Sequence, residues 1–264
     1  EGKASEHAIL TCRVIDRPMR PLFPKDYRND VTLNNMVMSV DPQCNPEVVA
    51  MLGSSIATCI SDIPFDGPCA ATQVGMIDGE LIINPTLEQN SRSDLKLTVA
   101  STREKVIMIE AGANEVPEAK MIEAIFEADK VNKEIIAFID KIVADCGKAK
   151  HSYESCAVPE ELFAAMKEIV TPEEMEVAVF SDDKQTREEN IRQVTAKLEE
   201  AFADNEEWLA VLGEAVYQYQ KKTVRKMILK DHKRPDGRAI TQIRPLAAET
   251  DIVPRVHGSA MFTR

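Results

Sequence analysis

The chain has 264 residues, 44% hydrophobic and 29% charged, a composition typical of globular proteins with enough apolar material for one large core or two smaller ones. It contains no run of about 18 apolar residues and opens without a signal peptide, which excludes a membrane-spanning helix and favours a cytoplasmic protein without membrane contact. The net charge of −12 arises in residues 31–220, which carry 35 acidic and 15 basic residues. Residues 1–30 carry five acidic and six basic residues, and residues 221–264 carry four acidic and eleven basic residues. A polyanionic partner would therefore meet the two ends of the chain.

The six cysteines occur without a C-x-x-C pair or a spacing that links them to histidine. This pattern argues against a zinc site and against a disulfide framework. We expect reduced, mostly buried thiols and no metal site in this sequence. The cysteines are Cys12, Cys44, Cys59, Cys69, Cys146 and Cys156.

The first basic segment, RVIDRPMRPLFP (residues 13–24), spaces Arg13, Arg17 and Arg20 four and three residues apart and places a proline after the second and third. We expect these prolines to prevent an ordinary helix and to stiffen a group of guanidiniums that can fork onto phosphate oxygens. The alternative is that the arginines form surface salt bridges of little energetic value with nearby aspartates. The candidate partners are Asp16, Asp26 and Asp30.

Residues 31–60 predict a strand followed by a helix. VTLNNMVMSV, residues 31–40, has the length and composition of a strand. Asn45 is an N-cap candidate with proline directly after it. The apolar residues that follow recur at helical spacing and predict one buried face. They are Val49, Leu52, Ile56 and Ile60.

Residues 70–147 predict an antiparallel sheet and a long helix. Asp78-Gly79 lies between two apolar runs, a strong signal for a tight hairpin. A second strand pair is joined by the polar residues 102–104. After Pro117 isoleucines recur at threes and fours up to Gly147, so we expect a helix that covers one face of the sheet.

Residues 148–161 lose the apolar periodicity and predict a linker. Three amphipathic, highly charged stretches follow at 160–170, 184–202 and 206–230, with no strand between them. We expect a small all-helical module.

Beyond RPDGR (234–238) the pattern returns to strand and turn. In PRVHGSAMFTR, alternation would put Arg255 and His257 on the same face of a strand, and Arg264 ends the chain. The alternative for His257 is a turn residue or a satisfied core histidine.

Taken together, IDRPMRPLFP, RPDGR and PRVHGSAMFTR resemble, in order and spacing, the bacterial polynucleotide phosphorylases. NPEVVAMLGSSIA, IPFDGP and the long helix after Pro117 extend the resemblance over essentially the whole chain. It implies an α/β fold (an α+β ribonuclease PH-like core, with a mixed or antiparallel sheet packed on helices) followed by an all-α domain. The implied domains are a first core at 1–150, a helical domain at 151–233 and the start of a second core at 234–264.

The resemblance also implies function. Members of this family are phosphate-dependent 3′-to-5′ exoribonucleases that release nucleoside 5′-diphosphates from single-stranded RNA, run backwards as polymerases, and form a homotrimeric ring. RNA degradosome proteins are further candidate partners. Inorganic phosphate is the co-substrate, and Mg²⁺ is the expected cofactor, with its ligands outside this sequence. The alternative function is a non-catalytic RNA-binding or ring-assembly module.

The resemblance assigns binding rather than chemistry to these residues. We expect Arg13, Arg17 and Arg20 to lie near the RNA path. We expect a second set of residues to face phosphate and the RNA 3′ end. That second set is Arg255, His257 and Arg264. The catalytic aspartates and lysine lie beyond Arg264 in the family, so no catalytic residue is expected here and the chain alone should be inactive.

Two features of the helical module stay open. A basic run over residues 221–234 is either a solvated face or an RNA-facing one. Trp208, Tyr217 and Tyr219 could stack bases, although core packing is favoured for Trp208 because leucine and valine share its helical stretch.

Overall fold

The computed structural model describes residues 2–41 and 43–264. The chain divides into two compact units, Glu1–Ser155 and Cys156–Arg264. Each unit is described by itself.

The first unit is built on a four-stranded sheet in the order β2-β1-β3-β4, with every neighbouring pair antiparallel. Its strands are β1 (Ala70–Ile77), β2 (Glu80–Ile83), β3 (Leu95–Ser101) and β4 (Val106–Ala113). Asp78 and Gly79 both have positive φ, 53° and 82°, as a tight primed turn requires. The predicted hairpin and the predicted second strand pair are therefore confirmed.

Three helices complete the first unit, together with the short α3 (Leu87–Arg92). They are α1 (Glu6–Met19), α2 (Pro46–Ile60) and α4 (Glu118–Cys146). On β1, Val74 joins a core with Ala124 of α4, whereas Ala71 joins a core with Met19 of α1 and Met51 of α2. Since successive side chains of a strand point to opposite faces, the sheet has α4 on one side and α1 and α2 on the other.

The predicted long helix, α4, covers the sheet as expected and ends before Gly147. It also brings a buried polar residue to the strands. Asn132 accepts a hydrogen bond from the Thr72 hydroxyl at 2.7 Å and donates to the Val99 carbonyl at 3.0 Å and the Ser101 hydroxyl at 3.1 Å. Such a fully paired network fixes the register between helix and sheet.

The structure corrects three expectations about residues 13–60. Residues 13–19 lie in α1, because Pro18 falls in the last turn, where the helix loses only one backbone hydrogen bond. Residues 31–40 form no strand: among the described residues no strand pairs with them, and Met36 and Met38 are 81% and 85% exposed. The helix α2 begins after its predicted cap Asn45 but buries a different face from the predicted one.

The buried face of α2 is partly polar. It comprises Met51, Ser54, Ser55, Thr58 and Cys59, whereas Val49 is 57% exposed. The hydroxyls have hydrogen-bond partners: Thr58 donates to the Ser54 carbonyl of the same helix, and the Ser55 hydroxyl accepts from the Cys69 amide fourteen residues away. Apolar spacing alone missed this face, because serine and threonine can be buried when their hydroxyls are bonded.

The predicted linker packs on the first unit as far as residue 155. Lys150 donates to the carbonyls of Thr58, Cys59 and Ser61 at the end of α2, at 3.1, 2.9 and 2.7 Å. Tyr153 donates to the Asp26 carboxylate at 2.9 Å. The next helix begins at residue 160, before the predicted linker end at 161.

The second unit contains four helices around one core, and the three predicted helices are confirmed. They are α5 (Glu160–Ile169), α6 (Pro172–Val179), α7 (Lys184–Ala201) and α8 (Glu206–Leu229). The sequence analysis missed α6, although Thr171 and Glu174 form a capping box that marks its start. With this unit following the mixed helix and sheet unit, the predicted fold class is confirmed.

The last thirty residues carry one antiparallel pair, β5 (Ala247–Thr250) and β6 (Ala260–Thr263), and both strands are exposed. Among the described residues no helix is both long and apolar enough to cross a membrane. The expectation of mostly buried cysteines is wrong: Cys59 and Cys69 are buried, and three others are exposed.

Candidate functional site

The first candidate site is the outer side of α1. Ser5 caps this helix by accepting from the Ala8 amide at 3.2 Å, and the apolar residues of the last two turns face the core. With that face buried, Arg13, Arg17 and Arg20 remain exposed. Helix α1 therefore presents Arg13 and Arg17, and Arg20 follows its last residue in a short 3-10 turn, so the three arginines lie on successive turns rather than on a proline-stiffened coil.

The three arginines differ in their partners. Arg17 donates to the Glu110 carboxylate on β4 at 2.9 Å. Arg20 forks onto Asp16 with distances of 3.1 and 2.7 Å. Arg13 has no hydrogen-bond or ion-pair partner among the described residues. Arg17 and Arg20 thus form the surface salt bridges that the alternative interpretation expects, and the partner of Arg20, Asp16, is one of the expected aspartates. Arg13 forms none with the described residues.

A groove of about 530 Å³ adjoins α1, and the residues that line it include Arg20, Tyr27 and Asn35. Asp16 and Asp30 also line it, so the groove is not uniformly positive. An anion would be attracted mainly to the side of α1 that carries Arg13.

The second candidate set lies in the second unit. Arg255 has a φ of 64° and lies in a turn with His257, so the expectation that both lie on one face of a strand is wrong. Strand β6 begins only at Ala260, and Arg264 follows its end. The Ser259 hydroxyl accepts from the Val253 amide at 2.9 Å and closes this turn.

The RPDGR segment forms a compact ionic turn. Arg238 forks onto Asp236 at 2.8 and 2.5 Å, and Arg234 lies 3.7 Å from the same carboxylate. The hydrogen bond from Arg238, with the positive charges of both arginines, lowers the pKa of Asp236 to about 2. These arginines are therefore already engaged within the turn.

The aromatic candidates on α8 divide clearly. Trp208 packs edge-on against Phe202 with ring centroids 5.1 Å apart, which confirms core packing. Tyr219 is buried and donates to the Val170 carbonyl at 2.9 Å. Tyr217 is 58% exposed, so it alone of the three could meet a base.

Among residues 2–41 and 43–264, no group of three or more His, Cys, Asp or Glu side chains is arranged to hold a metal ion.

Three family models match consecutive segments of the chain. The 3′ exoribonuclease family, domain 1, matches residues 1–64, and domain 2 of that family matches residues 67–131. The model described as polyribonucleotide nucleotidyltransferase, RNA binding domain, matches residues 161–239. Their order agrees with a mixed helix and sheet unit followed by a helical unit.

Curated relatives match the chain from end to end. The polyribonucleotide nucleotidyltransferase of Lachnoclostridium phytofermentans is 74% identical over 100% of this chain. Those of Ruminiclostridium cellulolyticum and Caldicellulosiruptor saccharolyticus are 49% and 48% identical over the same extent. The chain belongs to the polyribonucleotide nucleotidyltransferase family. It spans about 38% of the length of these relatives.

Among solved structures, rice (Oryza sativa) Rrp46 is similar, with a TM-score of 0.43 and 12% sequence identity. The match covers 54% of this chain and 68% of the Rrp46 chain. A likeness at this level carries no argument about the site. Family membership rests on the sequence matches, and the arginines of α1 lie in the segment matched by domain 1 of the 3′ exoribonuclease family.

Proposed function

We propose that the chain is part of a phosphate-dependent 3′-to-5′ exoribonuclease that degrades single-stranded RNA. The observation that carries this proposal is the 74% identity, over the entire chain, to a polyribonucleotide nucleotidyltransferase. We also propose the domain division at 1–150, 151–233 and 234–264. The compact units meet at 155/156, close to the first of these boundaries.

In the proposed reaction, an oxygen of inorganic phosphate attacks the phosphorus of the last phosphodiester. The bond from that phosphorus to the 3′ oxygen of the preceding nucleotide breaks, the last nucleotide leaves as a nucleoside 5′-diphosphate, and the shortened RNA ends in a 3′ hydroxyl. Two polyanions must be brought together, so positioning and charge neutralisation dominate what the protein must supply.

The proposed role of α1 is to hold the RNA backbone near this reaction. Arg13 is free to bind a phosphate oxygen, and guanidinium is suited to it because it is always charged and can bind two oxygens at once. Arg17 and Arg20 would contribute only by exchanging their carboxylate partners for phosphate.

Arg255, His257 and Arg264 are proposed to face phosphate and the RNA 3′ end. Their exposure supports this, because a side chain that meets substrate must reach solvent in the free protein. Their turn-like setting differs from the strand expected from the sequence. Binding of substrate, or of adjoining parts of the protein, would therefore have to order this part of the site.

Further parts of the proposal concern the whole protein. Mg²⁺ would supply charge stabilisation on the transferring group, held by residues outside this sequence. The protein would assemble as a homotrimeric ring in the cytoplasm and would meet degradosome proteins there. No step of the proposed reaction is assigned to a residue of this chain other than binding.

The second candidate function is a non-catalytic RNA-binding or ring-assembly module. The description of the family model on residues 161–239 as an RNA binding domain favours it. Both functions require RNA binding, so phosphorolysis is what distinguishes them.

The test compares the 264-residue chain with the full-length protein, each incubated with poly(A), inorganic phosphate and magnesium. We expect the full-length protein to release ADP in a phosphate-dependent manner and the chain alone to release none. Absence of phosphate-dependent release by the full-length protein would overturn the enzyme proposal and leave the binding module. Turnover by the chain alone would show that catalytic groups lie within it.

A further inference from the structure

The second half of α8 carries a dense group of exposed cations. Lys222 and Lys226 are separated by four residues, as are Lys221 and Arg225, and positions four apart lie on one side of a helix. All four side chains are exposed, whereas Thr223 and Met227 of the same helix face the core. The four cations therefore form one continuous solvent-facing strip.

Three cations of the second unit outside this strip have acidic partners on its helices. Lys184 lies 3.5 Å from Glu188, and Lys197 lies 3.3 Å from Glu174. Arg192 likewise pairs with its helical neighbour Glu189 at 2.6 Å.

The strip differs from these pairs. Among the described residues no carboxylate lies within 4.0 Å of a charged group of the strip or of Lys167 on α5, although acidic residues outnumber basic ones in the chain as a whole. These five side chains, Lys167, Lys221, Lys222, Arg225 and Lys226, are named the α5–α8 basic face below.

A ring fixed by the core holds two of these ammonium groups together. The Nζ atom of Lys222 lies 4.0 Å from the ring centroid of Phe163, and that of Lys167 lies 5.0 Å from it. The Phe163 ring packs against buried Tyr219 with centroids 5.7 Å apart. Cation–π attraction thus keeps two like charges around one ring without a carboxylate to compensate them.

We propose that the α5–α8 basic face binds the phosphate backbone of single-stranded RNA without reading its sequence. The proposal rests on the proposed function, which makes RNA the substrate, and adds the surface of the helical unit that meets it. Lysines separated by one helical turn, about 5.4 Å, form a regular row of point charges. Such a row suits a polymer with a repeating negative charge, and lysine contacts to phosphate position the polymer rather than select its bases.

The test uses the 264-residue chain and a fluorescently labelled oligoadenylate, with binding followed by anisotropy at several potassium chloride concentrations. The test variant is Lys167→Gln/Lys222→Gln/Lys226→Gln. The matched control, Lys184→Gln/Arg192→Gln/Lys197→Gln, makes the same change in net charge within the same unit but removes only cations that already have carboxylate partners.

We expect the test variant to bind more weakly and its plot of log affinity against log salt to flatten by about two, since each phosphate contact to a single strand contributes about 0.7. The control should keep the wild-type slope. Lys→Arg changes at the same three test positions should restore the slope, which separates lost charge from a folding defect. Equal effects of test variant and control, or no binding by the wild-type chain, would overturn the proposal.

Three further outcomes are decisive. Competition by poly-L-glutamate as effective as competition by unlabelled oligoadenylate would indicate an acidic protein as partner and overturn the RNA proposal. If the full-length protein carries out no phosphorolysis but the salt slope of RNA binding still depends on these lysines, the proposed function is overturned and the RNA-binding role of this surface is kept. If the full-length protein carries out phosphorolysis and the test variant keeps the wild-type salt slope, only the RNA-binding role of this surface is overturned.

Discussion

Arg17 on α1 donates a hydrogen bond to the carboxylate of Glu110 on β4 at 2.9 Å, and this pair joins the helix of candidate arginines to the edge of the sheet. The two side chains are 50% and 46% exposed, so the pair is screened by water. Exposed pairs of this kind contribute about 0–1 kcal/mol, which a phosphate could readily offset. Under the proposed function, Glu110 would therefore compete with RNA for Arg17 rather than hold it permanently.

We predict that Glu110→Gln strengthens RNA binding by the full-length protein and steepens its salt dependence, because Arg17 becomes free to bind phosphate. Oligoadenylate binding over a salt series measures this. Glu104→Gln is the control, since Glu104 is exposed in the turn between β3 and β4. Its substitution makes the same change in net charge. If both variants bind RNA equally well, the effect is one of net charge and Arg17 has no specific role.

We predict that Arg13→Ala weakens RNA binding more than Arg17→Ala or Arg20→Ala, because within residues 2–41 and 43–264 Arg13 has no carboxylate to exchange and the other two have one each. Its salt slope should fall by about 0.7, the value of one phosphate contact to a single strand. Arg92→Ala, which removes an exposed arginine at the end of α3, should leave the slope unchanged. Equal losses for all three α1 variants would contradict the order predicted from their partners.

Local chemistry explains which parts of this fold the sequence could predict. Asp78-Gly79 adopts the two positive φ values that its residue types tolerate, and Asn45 accepts a hydrogen bond from the Glu47 amide as a cap should. Gly147 ends α4 as predicted. Each of these signals depends on a few neighbouring residues and not on distant ones.

Several of the missed features depend on distant partners. Residues 31–40 have strand composition, yet a strand also needs a neighbour to pair with, and composition carries no information about that neighbour. The buried side of α2 is decided by Ser55, whose hydroxyl meets the Cys69 amide across fourteen residues. For the same reason, the pairing of Arg17 with Glu110, ninety-three residues away, could not be read from spacing along α1.

We predict that Lys150→Met destabilises the first unit by about 1 kcal/mol, since its ammonium group satisfies three carbonyls at the negative end of α2. Chemical denaturation followed by circular dichroism measures the change. Lys148→Met is the control, because the Lys148 side chain is exposed and its hydrogen bond to Ile60 is made by the backbone amide, which the substitution keeps. Equal stability of the two variants would show that the Lys150 contacts contribute nothing.

We predict that Asn132→Leu costs about 3 kcal/mol, because it removes three buried hydrogen bonds and leaves the Thr72 hydroxyl without its acceptor. Thermal and denaturant unfolding measure the cost. Lys130→Leu, at an exposed position of the same helix, should change stability little. Pairing Asn132→Leu with Thr72→Val tests the cause: a double variant more stable than Asn132→Leu alone is expected, since it removes one of the stranded groups.

We predict that the carboxyl group of Asp236 titrates at about pH 2 in the folded protein, below its ordinary 3.8, because Arg238 donates to it and both arginines of the turn favour its charged form. A lowered pKa means that the ionic turn contributes stability above about pH 4 and loses it as the pH falls toward 2. Carbon-13 NMR of the carboxyl groups over this range measures the titration directly. In Arg238→Gln the pKa of Asp236 should rise toward its ordinary value, whereas Arg244→Gln, which removes an exposed arginine outside the turn, should leave it in place. A carboxyl that titrates at the same pH in the wild type and in Arg238→Gln would mean that the Arg238 hydrogen bonds do not hold Asp236 in solution, and Arg238 would then be available to another anion.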